Sequence, residues 1–266
     1  MISYTQIQKI SSQEGVPEEI IEKDYLIELL LYYLSKEKYL KERFIFRGGT
    51  ALKKIYFKDY RFSEDLDFLI QFTEELKEIE SKLNSLLEKI NSDYPFQLGI
   101  GKNSKRYRDR SQIFITYNIV EEIRAIKEFK IDIIKDNLIP AFQDKKILFT
   151  YQDFQEDLFL KTYDLESTAS DKIGRILDVI NEPRDIYDLW YLLKLDINTK
   201  SIKKEFKDKY GYDIIISNLL REISKGEYKQ LWKIRLEKQI RNLPDYNSVV
   251  SELENLIKVK LKTRGK

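Results

Sequence analysis

Two carboxylates one residue apart, Asp65 and Asp67, stand in the segment RGGTALKKIYFKDYRFSEDLDFLI that covers residues 47–70. In an extended strand, residues i and i+2 project from the same side. The two acids therefore point together, while Leu66, Phe68 and Ile70 turn the other way, toward a core. Converging carboxylates suit a hard divalent cation, Mg²⁺ or Mn²⁺. Upstream in the same segment, Gly48-Gly49-Thr50 falls between a strand-like RFIF and a helical stretch. Glycines at such a turn let the backbone approach a ligand closely, and the start of the helix offers N–H groups to phosphate. The Thr50 hydroxyl adds a donor. A Gly-Gly alone is ordinarily a turn, and a D-x-D alone is ordinarily a solvated strand end. In strand, turn, helix, strand order they read together as a phosphate cradle beside metal-holding acids.

The rest of the chain narrows the chemistry. Its 266 residues are 42% hydrophobic and 35% charged, which suits a folded protein with a substantial core. It contains neither cysteine nor histidine. That excludes disulfides, thiol nucleophiles, Ser-His-Asp triads, histidine bases and zinc held by thiolate or imidazole. Catalysis must rest on carboxylates, lysine, arginine, hydroxyls and an oxygen-ligated cation. The longest apolar run, Leu26 to Leu34, contains Glu28 and is too short to span a bilayer. The opening MISYTQIQKI lacks the basic start and apolar centre of a signal peptide. A cytoplasmic protein with no membrane partner is expected.

Several elements must position these groups. Pro17 suits the first turn of a helix running to about Ser35. Arg43 to Phe46 reads as a strand, Thr50 to Phe57 as a helix, and Leu66 to Ile70 as a second strand. Leu76, Ile79, Leu83, Leu86, Leu87 and Ile90 recur at helical spacing within 73–91. Phe96 to Ile100, Gln112 to Val120 and Glu128 to Ile134 read as strands, with Gly101 to Arg110 as a loop. In the last of these strands Phe129, Ile131 and Ile133 alternate on one face, leaving Lys130 and Asp132 on the other. The first 16 residues are simply polar. Beyond Leu165 the pattern is helical, in about five segments. One carries Lys172 and turns Ala169, Ile173, Ile176 and Ile180 to a core. The next follows Pro183 and buries Leu189, Trp190, Leu192 and Leu193. The expected organisation is a mixed α/β part over 1–160 and a helical part over 161–266.

GGT, a gap of twelve residues, then SEDLD is similar to the signature of the DNA polymerase β-type nucleotidyltransferases. Within that superfamily the chain resembles the AbiEii/AbiGii toxin family. The matching pieces are Glu22-Lys23-Asp24-Tyr25, the run Phe46 to Leu52, the run Arg61 to Asp67, and Lys130-Ile131-Asp132. Ala169-Ser170-Asp171-Lys172 and the run Arg184 to Leu189 complete them. They occur in order over about residues 10–195.

The resemblance implies an α+β fold: a polymerase β-type nucleotidyltransferase core, with a mixed sheet and flanking helices, followed by a helical C-terminal domain that closes the active-site cleft. It implies transfer of NMP from an NTP with Mg²⁺ or Mn²⁺, by the toxin of an AbiE-like type IV toxin–antitoxin and phage-defence system. The implied acceptor is RNA, for some members the 3′ end of tRNA. The implied partner is a separately encoded antitoxin that need not touch the toxin. Carried onto this sequence, the metal ligands are Asp65, Asp67 and Asp132, with Asp132 also placed to act as general base. The nucleotide-binding residues are Arg47, Gly48, Gly49, Thr50, Ser63 and Lys172, the last on the triphosphate. Asp185 joins the catalytic set. Acids in a first helical turn are also expected as dipole-compensating residues, and the role of Asp188 stays open. Arg47 and Arg61 touch phosphate or brace the acidic pair. Lys23 and Asp24 act directly or form a buried ion pair between the first helix and the sheet.

The loop GKNSKRYRDR sets five basic residues against Asp109, with Tyr107 between Arg106 and Arg108. It is either a solvated hairpin or a place where phosphate contact and base stacking combine. The tail KVKLKTRGK repeats basic residues at 258, 260, 262, 264 and 266. Competing functions are nucleotide transfer to a protein or small molecule, a degenerate NTP-binding regulatory module, and a nuclease built on paired acids.

Overall fold

The computed structural model describes residues 1–119 and 126–261. The second half of the basic tail, 262–266, and the end of the strand expected to reach Val120 lie outside them. The chain divides into two compact units, Met1–Thr162 and Tyr163–Lys266.

The first unit opens on helix α1 (Tyr4–Glu14). Its signal is a capping box: the Ser3 hydroxyl accepts from the Gln6 N–H (3.2 Å), and the Ser3 N–H donates to Gln6 Oε1 (2.7 Å). Reading the first 16 residues as merely polar missed it. Helix α2 (Glu18–Lys36) follows Pro17 and is buried on most sides, with Tyr25, Leu26, Leu29 and Leu30 fully inside. Next come α3 (Lys38–Arg43), strand β1 (Ile45–Arg47), and α4 (Gly48–Ala51), which runs on as a π-helical turn over Leu52–Tyr56. Strand β2 (Asp65–Gln71) carries the acidic pair. Helix α5 (Leu76–Asp93) buries the six apolar residues that its spacing predicts.

The remaining strands are β3 (Leu98–Ile100), β4 (Lys105–Arg106), β5 (Arg110–Tyr117), β6 (Lys127–Asp136), β7 (Phe142–Lys146) and β8 (Phe159–Tyr163). Together they form one eight-stranded mixed sheet in the order β3-β5-β6-β2-β1-β8-β7, with β4 also pairing β5. β2 runs parallel to β6 and antiparallel to β1, and β1 runs parallel to β8. One sheet face is core: Leu66, Phe68 and Ile70 of β2 lie there with Ile131 and Ile133 of β6 and Ile113 and Ile115 of β5. Strands β4, β7 and β8 were not expected. β4 is two residues long, and β7, FQDKK, is an exposed edge strand without alternation.

A knot of buried charge ties the first unit together. Lys54 donates to Asp24 (2.8 Å) and Glu28 (2.7 Å) of α2. Glu28 also accepts the N–H groups of Thr150 (2.8 Å) and Tyr151 (3.2 Å), and the Tyr151 hydroxyl donates to Asp24 (3.1 Å). Burial works against the Lys54 charge, but the two carboxylates outweigh it and hold the ammonium above the ordinary lysine value. Asp24 thus forms a buried ion pair with the helical segment behind the glycine turn, rather than with the sheet.

The second unit contains helices α6 (Leu165–Leu177), α7 (Pro183–Lys194), α8 (Thr199–Tyr210), α9 (Ile216–Ile223), α10 (Gly226–Leu236) and α11 (Tyr246–Leu256). Asp164, Glu182, Asn198 and Asp245 cap four of them. Two assignments to its core need correction. Ile180 lies beyond the end of α6 and is exposed, and Trp190 is half-buried with its indole N–H on Glu252 (2.8 Å).

Replacing Lys54 by Met strands Asp24 and Glu28 without their cation. Losing one partner of a buried pair costs about 3–5 kcal/mol. The urea unfolding midpoint of K54M should fall accordingly, and an unchanged midpoint would show that the knot contributes nothing to stability.

Candidate active site

The site is built on the sheet face opposite the core. β2 and β6 pair in register with Asp65 beside Lys130 and Asp67 beside Asp132. Register partners project from the same side of a sheet, so the three carboxylates share one half-open face. The row continues on both flanks, since Arg47 of β1 partners Asp67 and Gln112 of β5 partners Asp132.

Lys130 sits among the acids, with its ammonium 2.6 Å from Asp132 Oδ2 and 4.0 Å from Asp65 Oδ2. Burial tends to lower its pKa. The Asp132 hydrogen bond and the charges of Asp65, Asp132 and Asp67 prevail, holding Lys130 above the ordinary 10.5. A raised value means this pairing contributes fully at lower pH. It is lost only as pH rises beyond the ordinary lysine range.

The glycine turn closes directly onto these acids. Gly48 has φ +82°, and a Cβ there would lie 2.4 Å from Asp67 Oδ2. A Cβ on Gly49 would meet Arg61 Nη2 at 2.5 Å and Ser63 Oγ at 3.4 Å. Arg61 is buried and donates to the Phe62 carbonyl (3.1 Å). The Thr50 hydroxyl donates to the carbonyl of Asp65. That side chain is buried and braces the acidic strand, rather than facing a ligand as its position suggested. No side chain caps the start of α4. Lys23 reaches Glu64 (2.7 Å), just before Asp65, and burial acting to lower its pKa is outweighed by Glu64 and Glu19.

The second unit holds the other candidate residues in a network of its own. Lys172 pairs with Asp185 (2.7 Å) and Asp188 (2.8 Å), and Arg175 Nε with the second Asp185 oxygen (2.8 Å). Lys172, Asp185 and Asp188 are all buried, so Asp185 and Asp188 are more than dipole-compensating acids. Asp188, whose role the sequence left open, belongs to the same cluster.

The family described as nucleotidyl transferase AbiEii toxin, type IV TA system, matches residues 30–257. The chain belongs to the AbiEii family. An AbiEii protein is a nucleotidyltransferase and the toxin of a type IV toxin–antitoxin pair, which brings with it an NTP substrate and an antitoxin. Among solved structures the fold is similar to MenT4, a nucleotidyltransferase toxin of Mycobacterium tuberculosis H37Rv. The TM-score is 0.70 at 14% identity, covering 100% of this chain and 91% of that one. No curated protein sequence matches. Among the described residues, no helix of this AbiEii chain is long and apolar enough to cross a membrane.

Enzymes of this kind use a divalent metal. The donor chemistry here suits one, since Asp65 and Asp67 offer hard oxygen ligands from one strand. Among the described residues no three acidic side chains stand close enough together to hold an ion, and Asp132 is engaged by Lys130.

A G48A variant tests the tightest contact. An alanine at positive φ costs about 1–2 kcal/mol, and its methyl displaces the Asp67 carboxylate. A shift near 1 Å in an active group costs roughly 10²-fold in rate. The variant should therefore keep its circular dichroism spectrum while losing about that factor in nucleotidyl transfer. Wild-type turnover by G48A would remove Asp67 from the site.

Proposed function

We propose that this AbiEii toxin transfers a nucleotidyl group from an NTP to an RNA acceptor, the 3′ end of tRNA, and that it depends on Mg²⁺ or Mn²⁺. The observation that carries the reading is the in-register placement of Asp67 beside Asp132, with Gly48 packed against Asp67.

Asp65 and Asp67 would hold the divalent ion, which supplies Lewis-acid neutralisation of phosphate charge. The backbone N–H groups of Gly48, Gly49 and Thr50, with Ser63 and Arg47, would receive the phosphates. Asp132 would orient the acceptor hydroxyl and take its proton as that oxygen attacks the α-phosphate and pyrophosphate leaves. To do so it must exchange its contact with Lys130 for the hydroxyl. Lys172, oriented by Asp185 and Asp188, would meet charge developing on the leaving pyrophosphate. No histidine can take part, because the chain has none. In the cell such a toxin would act on cytoplasmic tRNA, as part of phage defence, with an antitoxin that opposes it without touching it.

The test is incubation with total tRNA, Mg²⁺ and each α-labelled NTP in turn, beside an Asp65→Ala/Asp67→Ala control. Label should enter tRNA with one nucleotide and vanish in the control and in EDTA. Label on a protein or small molecule instead would keep the chemistry and replace the acceptor. NTP binding with no Asp65/Asp67-dependent transfer to anything would mark a regulatory module.

A further inference from the structure

The basic hairpin β4–β5 is two-sided. Arg106 and Ser111 are register partners, and both reach Glu80 of α5, at 2.6 Å each. This side of the hairpin is therefore tied down onto the helix on the core face of the sheet. Lys105 and Gln112 are the adjacent register pair, and Gln112 is also the partner of Asp132. Lys105 and Gln112 thus look out from the carboxylate face.

One step further along, the Tyr107 N–H bonds the Arg110 carbonyl (2.8 Å), and the Arg110 guanidinium lies over the Tyr107 ring at 4.5 Å. That pair caps the hairpin on the carboxylate side, with Tyr107 42% exposed. Phe114, the β5 residue beside Lys130, is half-buried on this same face. An aromatic ring left open on a polar sheet face contributes little to the core. The row running from Phe114 past Gln112, the neighbour of Asp132, to the hairpin therefore carries two open rings, Phe114 and Tyr107, and two cations, Lys105 and Arg110.

We infer that this row is the acceptor track, which takes a single-stranded polynucleotide end and delivers its terminal hydroxyl to Asp132. The inference rests on the nucleotidyl-transfer reading above and adds the surface that holds the acceptor. Cations answer the phosphates, and open rings stack on bases that a duplex would hide. With strands about 4.8 Å apart and residues about 3.3 Å apart along a strand, Tyr107 lies roughly 12 Å from Asp132. That is roughly three stacked nucleotides at about 3.4 Å each. The base on Tyr107 then stands about three nucleotides back from the reacting end.

The test is fluorescence-anisotropy binding of a labelled, unstructured 12-nucleotide RNA to the full chain, repeated over a salt series. The variants are Tyr107→Ala, Arg110→Gln and Arg106→Gln. Loss of a stacked base corresponds to about tenfold weaker binding. Loss of a phosphate contact on a single strand lowers the slope of log K against log salt by about 0.7. Tyr107→Ala should show the first and Arg110→Gln the second, with Arg106→Gln close to wild type in both. Equal weakening by all three would leave only a diffuse basic field and overturn the track. So would wild-type binding by Tyr107→Ala and Arg110→Gln, or a failure of wild type to bind the RNA, as a protein acceptor would require. If transfer that depends on Asp65 and Asp67 persists in those cases, the track alone has failed. Absence of that transfer from wild type is the separate failure of the reading beneath it.

Discussion

Everything in the carboxylate site depends on the parallel register between β2 and β6, in which Asp67 stands beside Asp132. Side chains alternate with a period of two, so a slip of one residue would send every acid into the core and every Ile and Leu into water. Leu66, Phe68, Ile131 and Ile133, all buried to 1% exposure or less, oppose that slip. The hydrophobic face thereby holds the polar face in alignment. The glycine turn adds the second constraint, because Gly48 fits against Asp67 only without a Cβ.

Lys54, Lys130 and Lys172 each meet two carboxylates, and their surroundings separate their duties. Lys54 is fully enclosed between Asp24 and Glu28; Glu28 also holds two backbone N–H groups and Asp24 accepts the Tyr151 hydroxyl. That is an arrangement for holding structure, since exchanging any partner would strand a buried charge. Lys130 is partly open and bonds Asp132 closely while Asp65 stays at 4.0 Å. Such a contact can exchange at modest cost, as a group next to reacting atoms must. Lys172 lies between these cases, buried yet sharing Asp185 with the half-open Arg175.

Much of the first unit was legible because its signals are local. The i, i+2 acids, the alternation in β6 and the apolar spacing of α5 each declare an element within a few residues. The family resemblance rested on the same short motifs, and the family match bears it out. Other features depend on partners far along the chain. Thr50 reads as a phosphate donor from its place after two glycines, but its hydroxyl goes to the Asp65 carbonyl. The Asp24–Lys54 pair joins α2 to the helical segment behind the glycines, and nothing in either segment names the other. Tyr107 was read with the arginines that flank it in sequence, whereas the hairpin pairs it with Arg110 and turns Arg106 to Glu80. The S-x-x-Q cap of α1 was written in the sequence and overlooked.

The strand that bears the glycine turn is hemmed in on one side by β2 and on the other by β8, where Phe46 meets Thr162. β8 is also where the N-terminal unit ends. On the ribosome, then, residues 45–71 emerge early but lack one neighbour until almost all of the unit has been made. Contacts this distant in sequence are slow to form and come late. The strand bearing the glycine turn therefore gains its last neighbour only once residues 159–163 have been made.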